Sequence, residues 1–274
     1  MDIKREFKAF VIRHFLSYDG KDLVRDLRRL GIRQGDTVMV HASWLPQNGF
    51  NGKPSDFLRA LQDAVGASGL LAMPSLTYQN MSSREFLERN KPMDVRRSPS
   101  SMGLLSEVFR RTRGVRRSLS PTHPLLAWGE RSEAFLAGHN AALVPFGRGS
   151  PFERLLEARG KILAVDAPFS TITFTHFLED RIAHALPFEL YEPAPRTGSV
   201  VDAENHRHEI PVKVLADQAN ALRREERLLD VLKRRRLLRG SRIGNTRLLV
   251  IEAAPMTACV DELVARGWSF FDAP

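Results

Sequence analysis

The sequence predicts an α/β fold, and alternating segments in its first third carry this prediction. Residues 37–41 are β-rich and almost entirely apolar, which is typical of a strand buried on both faces. Leucines at helical spacing precede it over residues 20–30, and Gly31 follows them where a glycine commonly ends a helix. A second helix over residues 55–65 and a second apolar strand over residues 69–73 complete a β-α-β unit.

The chain as a whole is predicted to form one domain over residues 1–274, with a smaller lobe formed by about residues 187–245. Residues 76–103 lack sustained periodicity and predict a long loop that forms a lid or wall of a pocket. Further strands are expected over 160–165 and 247–251, and further helices over 103–111, 174–185, 214–238 and 259–265. The basic run 233–236 is interpreted as a solvated helix end, where cations complement the helix dipole.

Composition restricts the class of protein. The chain is 43% hydrophobic and 27% charged, has no apolar run long enough for a bilayer, and shows no signal-peptide pattern over residues 1–16. We therefore expect a soluble protein without a membrane partner. Its one cysteine, Cys259, excludes an intramolecular disulfide and a cysteine-based zinc site, which fits a cytoplasmic location.

The formal net charge of +9 indicates either an anionic partner or a solvated arginine-rich surface. Nucleic acid is one anion and a small metabolite is another, and charge alone does not separate them. The basic run lacks interleaved aromatic residues and any recognised reading module. We therefore expect no nucleic-acid partner, and nucleic-acid binding is the remote alternative.

Polar side chains at the ends of the first two predicted strands are the first candidates for a site. His41 and Ser43 follow the first strand, and Ser75 follows the second. The carboxyl ends of strands in an open α/β sheet are where ligands gather, because the loops converge there.

The segment 171–179 carries the sharpest chemical signal. In a helix that begins at Thr175, His176 and Glu179 are three residues apart and share a face, so the carboxylate can accept a hydrogen bond from the imidazole. This fixes one tautomer and leaves the other ring nitrogen free to accept a proton. Such a pair suits a general base, although similar pairs occur on many helices as surface or metal-site residues.

Beyond this pair, residues 30–180 contain a series of short segments in a distinctive order. In order and spacing they resemble the aminoglycoside 3-N-acetyltransferase (antibiotic N-acetyltransferase) family. The matching segments are 30–43, 71–75, 93–94 with 98–103, 107–110, 117–123, 128–129, His139, 145–151 and 175–179.

The resemblance implies a layered α/β/α fold with a central mixed sheet, distinct from the GCN5-related acetyltransferase fold. It also implies an acetyl-CoA-dependent N-acetyltransferase that needs no metal. His176 is expected to be the general base, oriented by Glu179. The attack is expected to be direct, because Cys259 lies far in sequence from every matching segment and offers no nucleophile.

Further residues are placed by the same resemblance. The acetyl-CoA site is expected to draw on Ser43, Ser75, Arg117 and Ser118, with His41 supporting the neighbouring loop. The hydroxyls of Thr173 and Thr175 are candidates for holding the thioester oxygen. Substrate contacts are expected from Asp94 and His123, although Asp94 could instead cap a turn and His123 could tie one together.

The resemblance implies that the acceptor is a small-molecule amine, and two kinds compete. One is an aminoglycoside; the other is a non-antibiotic amine, such as an amino sugar of polysaccharide or secondary-metabolite assembly. Several departures from the family pattern affect the substrate, among them Ser120 where the family usually has histidine. A polycation calls for several carboxylates, for which the chain offers five candidates: Glu85, Glu88, Asp94, Asp166 and Glu189. A catalytically dead scaffold is disfavoured because His176 and Glu179 are both present.

Overall fold

The computed structural model describes residues 10–12 and 14–274, so most of the amino-terminal segment tested for a signal peptide lies outside the described residues. No helix within those limits is long and apolar enough to cross a membrane. The helices include α1 (Gly20–Arg29), α2 (Pro54–Val65), α3 (Ser83–Glu88), α4 (Leu104–Arg110), α5 (Ser132–Leu136), α6 (Pro151–Glu157), α7 (Phe174–Ile182), α8 (Asp217–Leu222), α9 (Glu225–Arg234) and α10 (Ala253–Val264). The strands include β1 (Thr37–Ala42), β2 (Leu70–Pro74), β3 (Met93–Asp94), β4 (Arg116–Arg117), β5 (Leu125–Trp128), β6 (Lys161–Val165), β7 (Arg196–Val201), β8 (Arg207–Val212), β9 (Leu238–Ile243) and β10 (Thr246–Glu252).

A seven-stranded mixed sheet forms the centre of the molecule, with the order β4-β5-β2-β1-β6-β10-β9. Strand β1 pairs in parallel with β2 and β6, whereas β5 and β10 pair antiparallel to this central trio. The carboxyl ends of β2, β1 and β6 therefore meet at one edge of the sheet, and the loops that follow them converge there.

Helices cover both faces of this sheet, because alternate residues of its buried strands point to opposite sides. Met39 lies opposite Ala72 and Ile162 in one row, and all three face the apolar core beneath α5, α6, α7, α9 and α10. Val38 and Val40 point the other way, into the core beneath α1, α2 and α4. The predicted α/β/α layering around a mixed sheet is confirmed.

A three-stranded sheet with the order β3-β7-β8 has its own apolar core. Met93 on β3 and Val200 on β7 are neighbours in register and both are fully buried in it. This sheet contains the strands within residues 196–212, but it also takes β3 from the earlier loop region. Residues 238–243 form β9 and pair with β10 in the main sheet.

The prediction of one continuous helix over residues 214–238 is wrong. Two helices, α8 and α9, occupy its middle, separated by Arg223 and Arg224. The backbone of Arg223 is extended and pairs with Phe271, and the Arg224 amide donates to the Phe270 carbonyl. Tertiary pairing with the carboxyl-terminal segment thus overrides a leucine spacing that fits a continuous helix. The basic run 233–236 is exposed, as predicted.

Two other expectations need correction. The predicted loop of residues 76–103 contains α3, which a capping box of Ser82 and Glu85 initiates, and the strand β3. The closing helix begins at Ala253 rather than Cys259, and its buried residues Met256, Cys259 and Val260 follow helical spacing.

Gly129, directly after β5, is tightly enclosed. Its φ is 118°, and a Cβ there would lie 2.2 Å from the carbonyl oxygen of Gly69. Gly149 also has a positive φ, 78°, but no atom lies within 4 Å of its Cβ position. We expect Gly149→Ala to lower the free energy of unfolding by about 1–2 kcal/mol, from backbone strain alone. Gly129→Ala should cost about 1–3 kcal/mol more, because the contact forces β5 away from the start of β2.

Urea unfolding of both variants measures this difference. Equal losses for the two glycines would show that β2 and β5 move apart without cost.

Candidate active site

Helix α7 positions His176 and Glu179 beside the carboxyl edge of the sheet. Phe174, Phe177 and Leu178 anchor the helix in the core, and the Glu179 side chain on the same helix is fully buried. The His176 side chain keeps 22% of its surface exposed, so it lies between the core and solvent. The spacing of three residues brings the two together as predicted, with Nδ1 of His176 3.0 Å from Oε2 of Glu179.

Arg223 completes this pair. Its Nε donates to Oε1 of Glu179 at 2.6 Å and its Nη2 donates to Oε2 at 2.8 Å, which is a bidentate arrangement. Burial by itself would raise the pKa of the Glu179 carboxyl. The charges and hydrogen bonds of His176 and Arg223 outweigh burial and hold this pKa below its usual value. The carboxylate is therefore ionised near neutral pH and accepts hydrogen bonds only.

This charge state fixes the tautomer of His176. Because an ionised Glu179 cannot donate, Nδ1 of the imidazole carries the proton that it shares with Oε2. In the neutral imidazole the opposite nitrogen, Nε2, then carries the lone pair that can accept a proton from a ligand. The three side chains are joined by hydrogen bonds from Arg223, which is 11% exposed, through the buried Glu179 to the partly exposed His176.

Sequence reasoning missed Arg223, which lies 44 residues from Glu179. Its extended backbone, in the break between α8 and α9, lets the guanidinium reach Glu179. One signal was available: a carboxylate on the apolar face of a helix requires a buried cationic partner. The chain has 41 lysines and arginines, so the sequence does not single out which one serves.

Aromatic rings form the wall beside His176. The Phe146 ring centre lies 5.2 Å from the rings of both His176 and His123, and the two histidine rings are 6.0 Å apart. Burial first, and then the neighbouring His176 and His139, hold the pKa of His123 well below its usual value. His123 is therefore neutral near pH 7, and its ring lies beside that of His176. Its backbone amide also donates to Ser120 Oγ, which stabilises the turn between these two residues.

A cavity of about 550 Å³ opens at the carboxyl ends of β1, β2 and β6. His41 and Ser43 line it from β1, Gly103 from the start of α4, and Thr173 from the start of α7. Two buried polar atoms at this cavity have no partner among the described residues, Nε2 of His41 and Oγ1 of Thr173. A ligand that satisfies them would remove a desolvation penalty, so the cavity suits a polar, extended molecule.

His41 is neutral in this position. Burial lowers the pKa of its imidazole to about 4, and a hydrogen bond to the Thr171 backbone only partly opposes this effect. His41 can therefore exchange a neutral hydrogen bond with a ligand in the cavity but carries no charge near pH 7.

Comparison with known proteins connects this geometry to a family. The sequence profile described as "Aminoglycoside 3-N-acetyltransferase" matches residues 39–265, which include most of β1, the cavity residues and the His176, Glu179 and Arg223 cluster. The chain belongs to this family.

A curated relative and two solved structures illustrate the similarity. Aminoglycoside N(3)-acetyltransferase III of Pseudomonas aeruginosa is 32% identical over 168 residues, covering 57% of this chain and 62% of the relative. The crystal structure of aminoglycoside acetyltransferase AAC(3)-Xa has a TM-score of 0.79 at 23% identity, covering 95% of this chain and 97% of that one. AAC-IIIb in a binary complex with CoASH has a TM-score of 0.74 at 24% identity, covering 94% and 99%. The matches span less than two thirds of the length of the first curated relatives.

The family segment 117–123 contributes no residue to the lining of this cavity. The Nη1 and Nη2 groups of Arg117 donate to the backbone carbonyls of Ser98 and Ser75, so this guanidinium fastens the loop after β2 to that before α4. Burial, and then the nearby Arg110, lower the pKa of Arg117 to about 10, so Arg117 stays charged near neutral pH. Its predicted contact with acetyl-CoA stays a prediction.

Ser118 belongs to a buried network with His139. Nε2 of His139 lies 2.6 Å from the Pro145 carbonyl and must donate to it, so Nδ1 accepts from the Ser118 hydroxyl at 2.8 Å. Ser118 Oγ in turn accepts from the Leu125 amide. Burial is the main cause that lowers the pKa of His139 to about 4 and keeps this ring neutral.

The remaining predicted residues occupy distinct positions. The Thr175 hydroxyl donates to the Ile172 carbonyl, so Thr173 supplies the unsatisfied hydroxyl at this end of α7. Ser75 is fully buried and its hydroxyl also lacks a partner among the described residues. Asp94 caps a turn, because its Oδ1 accepts from the amides of Arg96 and Arg97. Its predicted substrate contact stays a prediction.

Within residues 10–12 and 14–274, no group of three His, Cys, Asp or Glu side chains could hold a metal ion.

Breaking the ion pair of Glu179 and Arg223 should cost far more than breaking a similar pair on the surface. Arg223→Gln leaves a fully buried carboxylate without its guanidinium, so we expect the free energy of unfolding to fall by about 3–5 kcal/mol. Arg181 and Asp261 form a bidentate pair of the same geometry, with side chains 44% and 41% exposed. Arg181→Gln should therefore cost at most about 1 kcal/mol.

Urea unfolding of the two variants at neutral pH measures the contrast. A loss for Arg223→Gln no larger than that for Arg181→Gln would contradict the central role of the buried pair.

Proposed function

We propose that this protein is an acetyl-CoA-dependent N-acetyltransferase that acetylates an amino group of a small molecule by direct transfer. The observation that carries the proposal is the imidazole of His176, held by a buried, ionised Glu179 in a tautomer whose free nitrogen can accept a proton. Membership of the aminoglycoside 3-N-acetyltransferase family supports the same reaction.

His176 acts as the general base. An amine that is protonated cannot attack a thioester, so a group in the protein must accept a proton before or during attack. Nε2 of His176 accepts it, and the negative charge of Glu179 stabilises the imidazolium that results. Arg223 holds Glu179 in place through two hydrogen bonds.

The surroundings of the one thiol support direct transfer. Cys259 is buried in α10, and burial raises the pKa of this thiol above its usual value. Both features oppose formation of the thiolate that a covalent intermediate requires. In direct transfer the amine attacks the thioester carbonyl, the C–N bond forms, the C–S bond breaks, and the CoA thiolate leaves and takes up the proton that His176 accepted from the amine.

The cavity at the sheet edge is the proposed acetyl-CoA site. When bound, acetyl-CoA supplies the thioester whose acetyl group is transferred. His41 and Thr173 offer the unsatisfied polar atoms, and Ser43 lines the same space. Thr173 is the residue before α7, three positions from His176, so the cavity adjoins the base along the chain. AAC-IIIb, which has the same fold, forms a complex with CoASH.

The acceptor is an aminoglycoside or a related amino sugar. Family names support the aminoglycoside, which is a polycation and would need free carboxylates around it. Four of the five candidate carboxylates already accept hydrogen bonds from the protein, and these are Glu85, Glu88, Asp94 and Asp166. This observation favours, as the second candidate, a non-antibiotic amine that carries fewer positive charges.

Replacing the base should damage turnover more than binding. A positioned general base contributes about 10²–10⁴-fold to the rate, so we expect His176→Ala to lower kcat by that factor. Acetyl-CoA affinity should remain close to that of the wild type, since His176 does not line the proposed acetyl-CoA cavity. His184→Ala, at an exposed position just after α7, is the matched control and should retain full activity.

The assay is release of the CoA thiol from acetyl-CoA across aminoglycosides and simpler amino sugars, with calorimetry for acetyl-CoA affinity. The absence of acceptor-dependent release with every amine would contradict the proposed reaction. Near wild-type turnover of His176→Ala would contradict the assignment of the base and redirect attention to His123.

Filling the cavity at Ser43 should weaken acetyl-CoA binding, which replacement of His176 should leave unchanged. Ser43→Phe places a ring in the 550 Å³ space, so we expect acetyl-CoA affinity to fall by about tenfold or more while protein stability is retained. Ser68→Phe, on an exposed loop, is the control for added apolar bulk. Unchanged acetyl-CoA affinity of Ser43→Phe in calorimetry would place the co-substrate elsewhere.

A further inference from the structure

A second and larger cavity, of about 870 Å³, lies at the outer edge of the main sheet. Strand β4 is the last strand on this side, and the carboxyl end of α4, the segment after α5 and the turn after β3 surround it. It shares no lining residue with the cavity that contains His41 and Ser43. Its volume lies within the range of small-molecule sites, about 300–1,000 Å³.

Positive charge dominates this second cavity, which we call the arginine cavity. Five arginines line it: Arg96, Arg110, Arg111, Arg116 and Arg117.

Fewer carboxylates oppose these arginines. Glu107 accepts hydrogen bonds from Arg110 and Arg111, and Glu133 lies 3.2 Å from Arg116. Asp94 also lowers the local potential at Arg110 and Arg117. Three carboxylates thus face five arginines, and the cavity retains a surplus of positive charge that suits a dianion.

Arg117, which lines this cavity, has a donor without an acceptor. The residue is only 9% exposed, and its two terminal nitrogens donate to backbone carbonyls, but its Nε has no partner among the described residues. This Nε has almost no exposed surface, so Arg117 contributes to the site mainly through a charge that no carboxylate contacts directly. The structure therefore places a surplus of positive charge at the cavity.

Apolar side chains complete the wall. Val115, Leu119, Leu126 and Leu136 line the same space, which a bare ion would leave unfilled. Guanidinium groups match the geometry of phosphate oxygens and form charge-assisted hydrogen bonds with them. A phosphate bonded to an apolar organic group would use both kinds of surface.

We propose that the arginine cavity is a second ligand site, which binds an organic phosphate separately from acetyl-CoA. The phosphate lies among the arginines, and the organic group packs against the leucine and valine wall. The proposal does not depend on acetyl transfer, because binding alone tests it.

Phenyl phosphate is the probe, and calorimetry at low salt measures its binding to the full chain. The double variant Arg111→Gln/Arg116→Gln removes two side chains that are 69% and 60% exposed, so the fold should remain intact. We expect its Kd for phenyl phosphate to rise by about tenfold or more. The control is Arg25→Gln/Arg59→Gln, which removes two exposed helical arginines that line neither cavity, and its Kd should match that of the wild type.

Two further measurements define the ligand. Inorganic phosphate should bind more weakly than phenyl phosphate, because it leaves the apolar wall uncovered. Saturating acetyl-CoA should leave the Kd of phenyl phosphate unchanged. No binding to the wild type, or an unchanged Kd in the cavity variant, would overturn the proposal. Displacement by acetyl-CoA would also overturn it and would assign the cavity and Arg117 to the co-substrate.

Discussion

The buried carboxylate of Glu179 is the constraint on which the site depends. A charge with no exposed surface requires partners on more than one side, and here His176 and Arg223 provide them. Arg223 comes from the break between α8 and α9, and that break exists because the carboxyl-terminal segment pairs with it. The orientation of one imidazole is thereby linked to the packing of the last residues of the chain.

The local parts of this arrangement could be predicted from the sequence, and the long-range parts could not. The β-α-β pattern of β1, α2 and β2 is a local apolar periodicity, and the pairing of His176 with Glu179 follows from helix spacing. The break at Arg223 has no glycine or proline to announce it and arises from backbone pairing with Phe271. Contacts of that kind depend on which distant segments meet.

Burial separates the histidines around the site into different chemical roles. The pKa values of His41 and His139 are lowered to about 4, and that of His123 is also lowered well below its usual range, so these three rings are neutral near pH 7. Each serves through shape or a neutral hydrogen bond. His176 differs because it is partly exposed and lies beside the ionised carboxylate of Glu179. The same residue type therefore supplies both structural groups and the proposed base.

The excess of arginine is a local rather than a uniform property of the surface. Many arginines have carboxylate partners, such as Arg181 with Asp261 and Arg196 with Glu192, and these pairs cancel in the net charge. The arginine cavity differs, because arginines from the turn after β3, the carboxyl end of α4 and strand β4 line it together with fewer carboxylates. A positive net charge alone is compatible with a solvated surface. Arginines that converge in a concave space repel one another, and this repulsion costs free energy. An unbalanced cluster of this kind is therefore more informative about a ligand than the total of +9.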